Sequence, residues 1–232
     1  MHDEDQHDHQ RPARGEHDHP HSHDRLDQEA IDRDFDARAA TWDDDASHVD
    51  RARRAAAAIA ETVPLTSATR VLDYGTGTGL LAQFLAPDTG PMTLADPSAG
   101  MRAVLADKVA AGVLRNAEVV DLDLTRDPVP DRRYDLVTTL MALHHVAEPP
   151  RVLRAMARML DPGGWVAIVD LDAEDGSFHG DGFEGPHGFE RAALTGWLTD
   201  AGFDAPTFAP CGHVRKHDRD YPLFLATAQR RG

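Results

Sequence analysis

A chain of 232 residues and 25.4 kDa suits one domain with an appendage. Its formal charge of -16 is unevenly spread: residues 1–50 hold 16 Asp and Glu against five Arg and no Lys, and the remainder is only mildly acidic. That balance repels nucleic acid, and no basic cluster longer than Arg51-Ala52-Arg53-Arg54 offsets it. No uninterrupted apolar run reaches 18 residues, and Met1-His2-Asp3-Glu4-Asp5 is neither a basic nor an apolar leader, so membrane insertion and secretion are not expected. The single cysteine, Cys211, has no partner for an internal disulfide or a cysteine zinc site, and a cytoplasmic location is expected.

From Met1 to about Asp27 the chain offers one Leu and no Ile, Val or aromatic residue, too little apolar surface to offset the entropy of ordering. We therefore expect residues 1–30 to be a disordered acidic tail and residues 31–232 to be the folded domain. Seven histidines (His2, His7, His9, His17, His19, His21 and His23) are interleaved with acids in this tail. Such a pattern collects divalent metal ions loosely, the alternative being a tail that only solubilises. Phe35 to Thr41 and Val49 to Val63 read as helices, the second stopped by Pro64.

Strand and helix patterns then alternate. Strands are predicted at 70–74, 92–95, 117–121, 134–140 and 165–171, and helices at 79–86, 98–111 and 150–160. After a helix at 190–201, strands near 207–209 and at 221–228 follow one another with only a loop between, so these two are expected to be antiparallel. The fold class is α/β: a doubly wound, mostly parallel sheet closed by an antiparallel last strand.

The sharpest local signal is Val71-Leu72-Asp73-Tyr74-Gly75-Thr76-Gly77-Thr78-Gly79-Leu80. Alternate glycines after a strand allow a tight turn and a close approach of backbone to ligand. A dinucleotide fingerprint would carry a further glycine where Leu80 stands, and Asp73 would repel a pyrophosphate. The same carboxylate suits a ligand with an ammonium and a sulfonium, which is the chemistry of S-adenosylmethionine. Asp96, at the end of the second strand, suits two ribose hydroxyls, the other reading being a helix cap ahead of Pro97-Ser98. In Asp121-Leu122-Asp123-Leu124, Asp123 is favoured for an adenine amino group with Leu124 over the base, a plain surface turn being the alternative.

These runs, with Asp96 to Met101, Tyr134-Asp135-Leu136-Val137, Leu143-His144-His145-Val146 and Met159-Leu160-Asp161-Pro162-Gly163-Gly164, resemble the ordered motifs of class I S-adenosylmethionine-dependent methyltransferases. The nearest flavour is the small-molecule branch that includes ubiquinone and menaquinone biosynthesis C-methyltransferases. The resemblance runs from about Phe35 to Gln229. It implies that Asp73, Gly75 and Gly77 hold the methionine end, with Gly79 completing the loop. It assigns Asp96 to the ribose and Asp123 with Leu124 to the adenine. It also implies seven strands, a Rossmann-like sheet. Pro162-Gly163-Gly164 is read as a turn that ends one helix and starts the fifth strand.

Ligands of such sheets lie beyond the carboxyl ends of the strands. Met141-Ala142-Leu143-His144-His145 occupies that place after the fourth strand, and Asp170, Asp172 and Glu174 after the fifth. His144 or His145 is expected to deprotonate an acceptor, or else one bonds a strand-end carbonyl while the other is solvated. The loop from Asp172 to Phe189, bearing Phe178, Phe183 and Phe189, is expected to enclose a small-molecule acceptor, the alternative being a surface loop whose aromatics pack on the adjacent helix. His179 and His187 on it are read as lid residues, or else as a metal pair. No metal is expected in the body. The expected reaction is in-line methyl transfer from S-adenosylmethionine, in which alignment supplies much of the acceleration, so the acceptor atom is not legible. Two other classes stay open: a non-catalytic or metal-handling binding protein on the same fold, and a nucleotide-dependent oxidoreductase, which Asp73 and Leu80 disfavour.

Overall fold

In a computed structural model of the chain, the described residues are 23–180, 182–216 and 218–232. The expectations for the tail fall mainly on residues 1–22 and lie outside them. The first helix starts ahead of the expected boundary: α1 spans His23–Arg38, a 3-10 turn covers Ala39–Asp44, and α2 spans Ala46–Thr62. Asp45 caps α2 by accepting from the Ser47 N–H, and the helix ends at Val63, whose backbone is extended ahead of Pro64.

The strands are β1 (Val71–Tyr74), β2 (Met92–Ala95), β3 (Ala117–Val120), β4 (Tyr134–Leu140), β5 (Leu160–Leu171), β6 (Thr207–Lys216) and β7 (Arg219–Gln229). Four helices lie between them: α3 (Leu80–Leu85), α4 (Ala99–Ala110), α5 (Pro149–Met159) and α6 (Arg191–Asp200). The sheet order is β3-β2-β1-β4-β5-β7-β6. The first five strands pair in parallel, and β7 runs antiparallel to both β5 and β6. This is the doubly wound sheet with an antiparallel last strand that the alternation of patterns predicts.

Helices cover both faces, so the central strands are apolar at successive positions, and every residue of β1 and β2 is buried. Alternate side chains then feed two cores. Val71, Leu136, Ala167 and Val169 pack with Ile59 of α2, Leu81 of α3 and Leu105 of α4. Leu72, Val137, Val166 and Ile168 pack with Leu153 of α5 and Leu198 of α6. Sheet order reverses at β1, with β2 on one side and β4 on the other, which opens a crevice at the carboxyl ends of these strands.

Two elements differ from expectation. Pro162-Gly163-Gly164 lies inside β5 rather than before it: pairing with β4 jumps from Tyr134↔Leu160 to Leu136↔Trp165. Gly163, at φ +81, donates its N–H to Arg230 O at 2.9 Å, so the extra residues are held in a bulge. Strand β6 runs on to Lys216, across a second register shift between Pro210 and His213, with Gly212 at φ +86. The bulge turns Cys211 inward, where it is buried, and carries Val214 to Lys216 over the end of the crevice.

Candidate active site

The crevice is a cavity of about 630 Å³ that begins at the end of β1. Asp73 is 1% exposed, and its two oxygens accept from Thr76 Oγ1 (2.6 Å) and Thr138 Oγ1 (2.7 Å). Thr138 reaches it because β4 pairs Thr138 directly beside Asp73. Burial raises the carboxyl to about 6, the two hydroxyls pull it back down, and the nearby charge of Asp96 raises it further.

The loop after β1 is shaped by Gly75 (φ +65), Gly77 (φ +58) and Gly79 (φ +82). These three have different reasons to lack a side chain. A Cβ on Gly75 would stand 2.4 Å from that of Ala142, whereas one on Gly77 would meet nothing within 4 Å. Gly77 lines the cavity, so the space its missing side chain leaves is part of that cavity. Gly79 does not line it: its Cβ would press on Leu105 at 2.7 Å and Leu114 at 3.0 Å, so its role is to let α3 start against the core.

Asp96 is tied into the same loop. Its Oδ2 accepts from Gly77 N (2.7 Å) and its Oδ1 from Ser98 N (2.9 Å), so it both orders the glycine turn and opens α4. Both readings of Asp96 are therefore compatible with one geometry. Burial raises it to about 6, against the pull of the two N–H donors. Asp123 lines the cavity floor. Its Oδ1 accepts from Thr125 N and Oγ1, while its buried Oδ2 has no hydrogen-bond partner among the described residues, only the Arg126 Nε at 3.2 Å as an ion pair. Leu124 does not line the cavity: its side chain is in the core with Tyr74, and its N–H donates to the Tyr74 hydroxyl at 3.2 Å. It is placed to hold the floor, not to cover a base.

The other end of the cavity is built at the end of β4. Met141, at φ +55, turns the chain into a 3-10 turn at Leu143–His145. A buried carboxylate, Asp170 of β5, accepts from Leu143 N, His144 N, Leu171 N and, at 2.6 Å, the His144 Nδ1. With a carboxylate accepting at Nδ1, His144 carries its proton there and presents a lone pair at Nε2. The expected bond of one histidine to a strand-end carbonyl is thus made to Asp170 instead. His145 is partly buried rather than solvated. Its ring stands edge-on to Phe35 (5.2 Å) and Phe183 (5.6 Å), and its buried Nδ1 has no partner among the described residues. Burial, then the neighbouring His144 and His179, hold its pKa well below the usual imidazole range. His179 stacks on Phe183 at 3.8 Å and is lowered to about 4 by burial, then by His144.

The loop from Asp172 to Phe189 sends Phe178, His179 and Phe183 to the cavity. Phe189 is not among them: it is buried on the opposite face of the sheet against Trp197, because its N–H pairs with Leu171 O as the chain rejoins the sheet edge. His187 is half-exposed beside Glu174 and does not line the cavity.

One wall comes from the segment expected only as a helix ahead of the sheet. The end of α1 and the 3-10 turn after it bring Phe35, Arg38 and Trp42 over the crevice, with Trp42 stacked on His48 at 4.2 Å. The wall is latched by Asp36 Oδ1, which accepts from Ser98 Oγ (2.6 Å) and Gly100 N (2.7 Å) of α4. Asp43 completes it, accepting from Thr78 Oγ1 and pairing with Lys108 at 2.5 Å.

A family profile described as a methyltransferase domain matches residues 47–207. Over 109 residues the chain is 38% identical to the ubiquinone/menaquinone biosynthesis C-methyltransferase UbiE of Pseudomonas aeruginosa, covering 45% of this chain and 43% of that protein. The match therefore spans less than half the length of such curated relatives. Among solved structures, it is similar to a methyltransferase chain in complex with the Haloferax volcanii Trm112 activator, with a TM-score of 0.71, 19% identity, and coverage of 85% of this chain and 98% of that one. It is also similar to Haemonchus contortus phosphoethanolamine N-methyltransferase 2 in complex with S-adenosyl-L-methionine, with a TM-score of 0.64, 15% identity, and coverage of 76% and 52%. At these identities the likeness to the solved structures is one of fold.

Proposed function

The chain belongs to the methyltransferase-domain family, and from that membership we propose that it is an enzyme transferring the methyl group of S-adenosylmethionine to a small-molecule acceptor. One observation carries this reading: the three carboxylates of the glycine-loop end and the histidines of the β4 end line one continuous cavity. The glycine-loop end fits that donor. It has two nearly wholly buried carboxylates for a cationic, ribose-bearing ligand, an open space at Gly77 and, at Asp123, a carboxylate oxygen that no hydrogen bond engages beside its ion pair with Arg126. When bound, S-adenosylmethionine supplies an electrophilic methyl group on a sulfonium.

The residues of this chain then do the following. Asp73, anchored by its two threonines, faces the cationic methionine end, where its charge is most favourable because it is out of water. Asp96 keeps free lone pairs for ribose hydroxyls beside the two N–H groups it already binds. Asp123 Oδ2 receives an amino group of the base. Phe35, Trp42 and Phe183 keep water from the reacting end. His144, its ring fixed by Asp170, and His145 stand at the acceptor. The low pKa of His145 makes it a weak base, and His144 is the one of the two whose ring a carboxylate orients. A cavity of about 630 Å³ and the acidic chain favour a small acceptor over a nucleic acid.

Titration calorimetry tests the donor assignment: S-adenosylmethionine and S-adenosylhomocysteine are expected to bind, and NAD is not. Preference for NAD would overturn it. Transfer of a labelled methyl group to a panel of small phenols, quinols and carbon acids tests the acceptor class. Label found only in protein or RNA would refute a small acceptor.

A further inference from the structure

We propose that His144, His145 and His179 form a binding site for one first-row divalent metal ion in the acceptor half of the cavity. Each of the three offers a ring nitrogen, and these atoms all lie within 4.8 Å of one another. They come from two places in the chain, the turn after β4 and the loop after β5, so their convergence is a product of the fold. The ring centroids are 4.2 Å apart for His144 and His145, and 5.1 Å from each to His179.

Three features distinguish this trio from histidines that merely pack together. Two of them, His145 and His179, have a buried Nδ1 with no hydrogen-bond partner among the described residues, a state that buried nitrogens normally avoid. The third, His144, donates Nδ1 to the buried Asp170 at 2.6 Å, leaving Nε2 as its ligand atom. A carboxylate behind a histidine is the arrangement that orients imidazole ligands and raises their basicity in metal sites. Finally, three imidazoles with a cavity in front supply three ligands and leave a further position open, the pattern of a reactive rather than a structural zinc-type site.

Donors around a tetrahedral ion held at ~2.0–2.1 Å stand roughly 3.4 Å apart, so the rings must draw in by about an ångström and a half at most. His179 can supply that movement, since its loop turns on Gly176 (φ +88), Gly180 (φ +83) and Gly182 (φ +87). Arg38 and Lys216 add positive charge near His145, and Lys216 near His179, where the charge of Asp170 opposes it. In this arrangement the ion, rather than an imidazole, meets the acceptor, and an anionic oxygen or thiolate on the acceptor is the group it would hold. The role of the ion rests on the methyl-transfer reading, but its binding does not.

The tail histidines would obscure the measurement, so the test uses the full chain with His2, His7, His9, His17, His19, His21 and His23 replaced by Asn. Stripped of metal, this protein is titrated with Co2+ while the visible absorption is followed. One ion per chain is expected, with the intense bands of four- or five-coordinate cobalt. His179→Ala and His179→Gln on the same background should each weaken binding at least 100-fold, and His187→Ala should not. No stoichiometric cobalt, or cobalt bound equally well by the His179 variants, would overturn the site. S-adenosylhomocysteine affinity is measured in the same proteins. Its binding with no cobalt at the histidines would sink this inference and leave the methyl-transfer reading standing. Cobalt at the histidines without any S-adenosylhomocysteine affinity would support the site and overturn that reading.

Discussion

At the scale of single residues, Gly75 and Gly77 do different jobs two positions apart. Both sit at positive φ, so a side chain strains either, but at Gly75 it would also collide with Ala142, whereas at Gly77 it would stand in the open cavity. Gly77→Val should therefore remove S-adenosylmethionine binding with the smaller loss of stability, and Gly75→Val should lower the melting temperature further. Calorimetry and thermal melts on both variants separate the two, and wild-type affinity in Gly77→Val would exclude this placement of the donor. The carboxylates make a second prediction. Asp73 and Asp96 are raised to about 6 from an ordinary value of 3.8, so the folded protein binds more protons than the unfolded chain between these limits. Their contribution to the stability of the ligand-free protein is accordingly largest below about pH 4 and is lost as pH rises through 6. Binding of the cationic donor has the opposite sign. Affinity should be greatest above pH 6 and fall about tenfold per pH unit below it for each carboxylate that must ionise. Titrations at pH 5 and 7.5 check this, and an affinity independent of pH would count against both residues as ligands.

At the scale of elements, the end of α1 and the turn after it act as a wall held to α4 through Asp36 and Asp43. Asp36 serves both Ser98 Oγ and the Gly100 N–H, and a Cβ on Gly100 would stand 2.8 Å from the Asp36 Cα. Hydrogen bonds from these partners hold the Asp36 carboxyl below its usual value. Because the latch lies near the surface, its loss should cost little global stability. Asp36→Ala, or Gly100→Val by displacement, should instead speed release of S-adenosylhomocysteine several-fold. Stopped-flow dissociation measures this, and unchanged release in both variants would show that α1 does not retain the donor. The bulge in β6 plays a comparable part on the other side, since it brings Val214 to Lys216 to the cavity.

At the scale of the whole molecule, the acidic excess is concentrated ahead of the sheet. Removing residues 1–22 should leave the melting temperature in metal-free buffer and the affinity for S-adenosylmethionine unchanged. Removing residues 1–41 deletes Phe35, Asp36 and Arg38 and should abolish retention of the donor. A fall of many degrees for the shorter deletion would show that the tail packs on the domain. Among the described residues no helix is long and apolar enough to cross a membrane.

The sheet, the βα order and the placement of Asp73, Asp96 and Asp123 were legible in the sequence because each depends on a short stretch. A strand, a glycine turn and a helix start dictate where the residue at the strand end must point, and no distant contact is needed. Leu124 and Gly79 were misplaced for a related reason: spacing puts them at the crevice, but which side of the backbone faces the core is settled by Tyr74, Leu105 and Leu114. Phe189, counted with the loop, belongs to the core because its backbone rejoins β5. The wall made by α1, the support of Asp73 by Thr138 and the meeting of His179 with His144 and His145 join segments far apart in the chain. Sequence by itself determined which strands and turns form and which carboxylates end them. Only the packing of helices and loops onto the sheet decided what faces those carboxylates, because side chains distant in sequence meet only once both cores have closed.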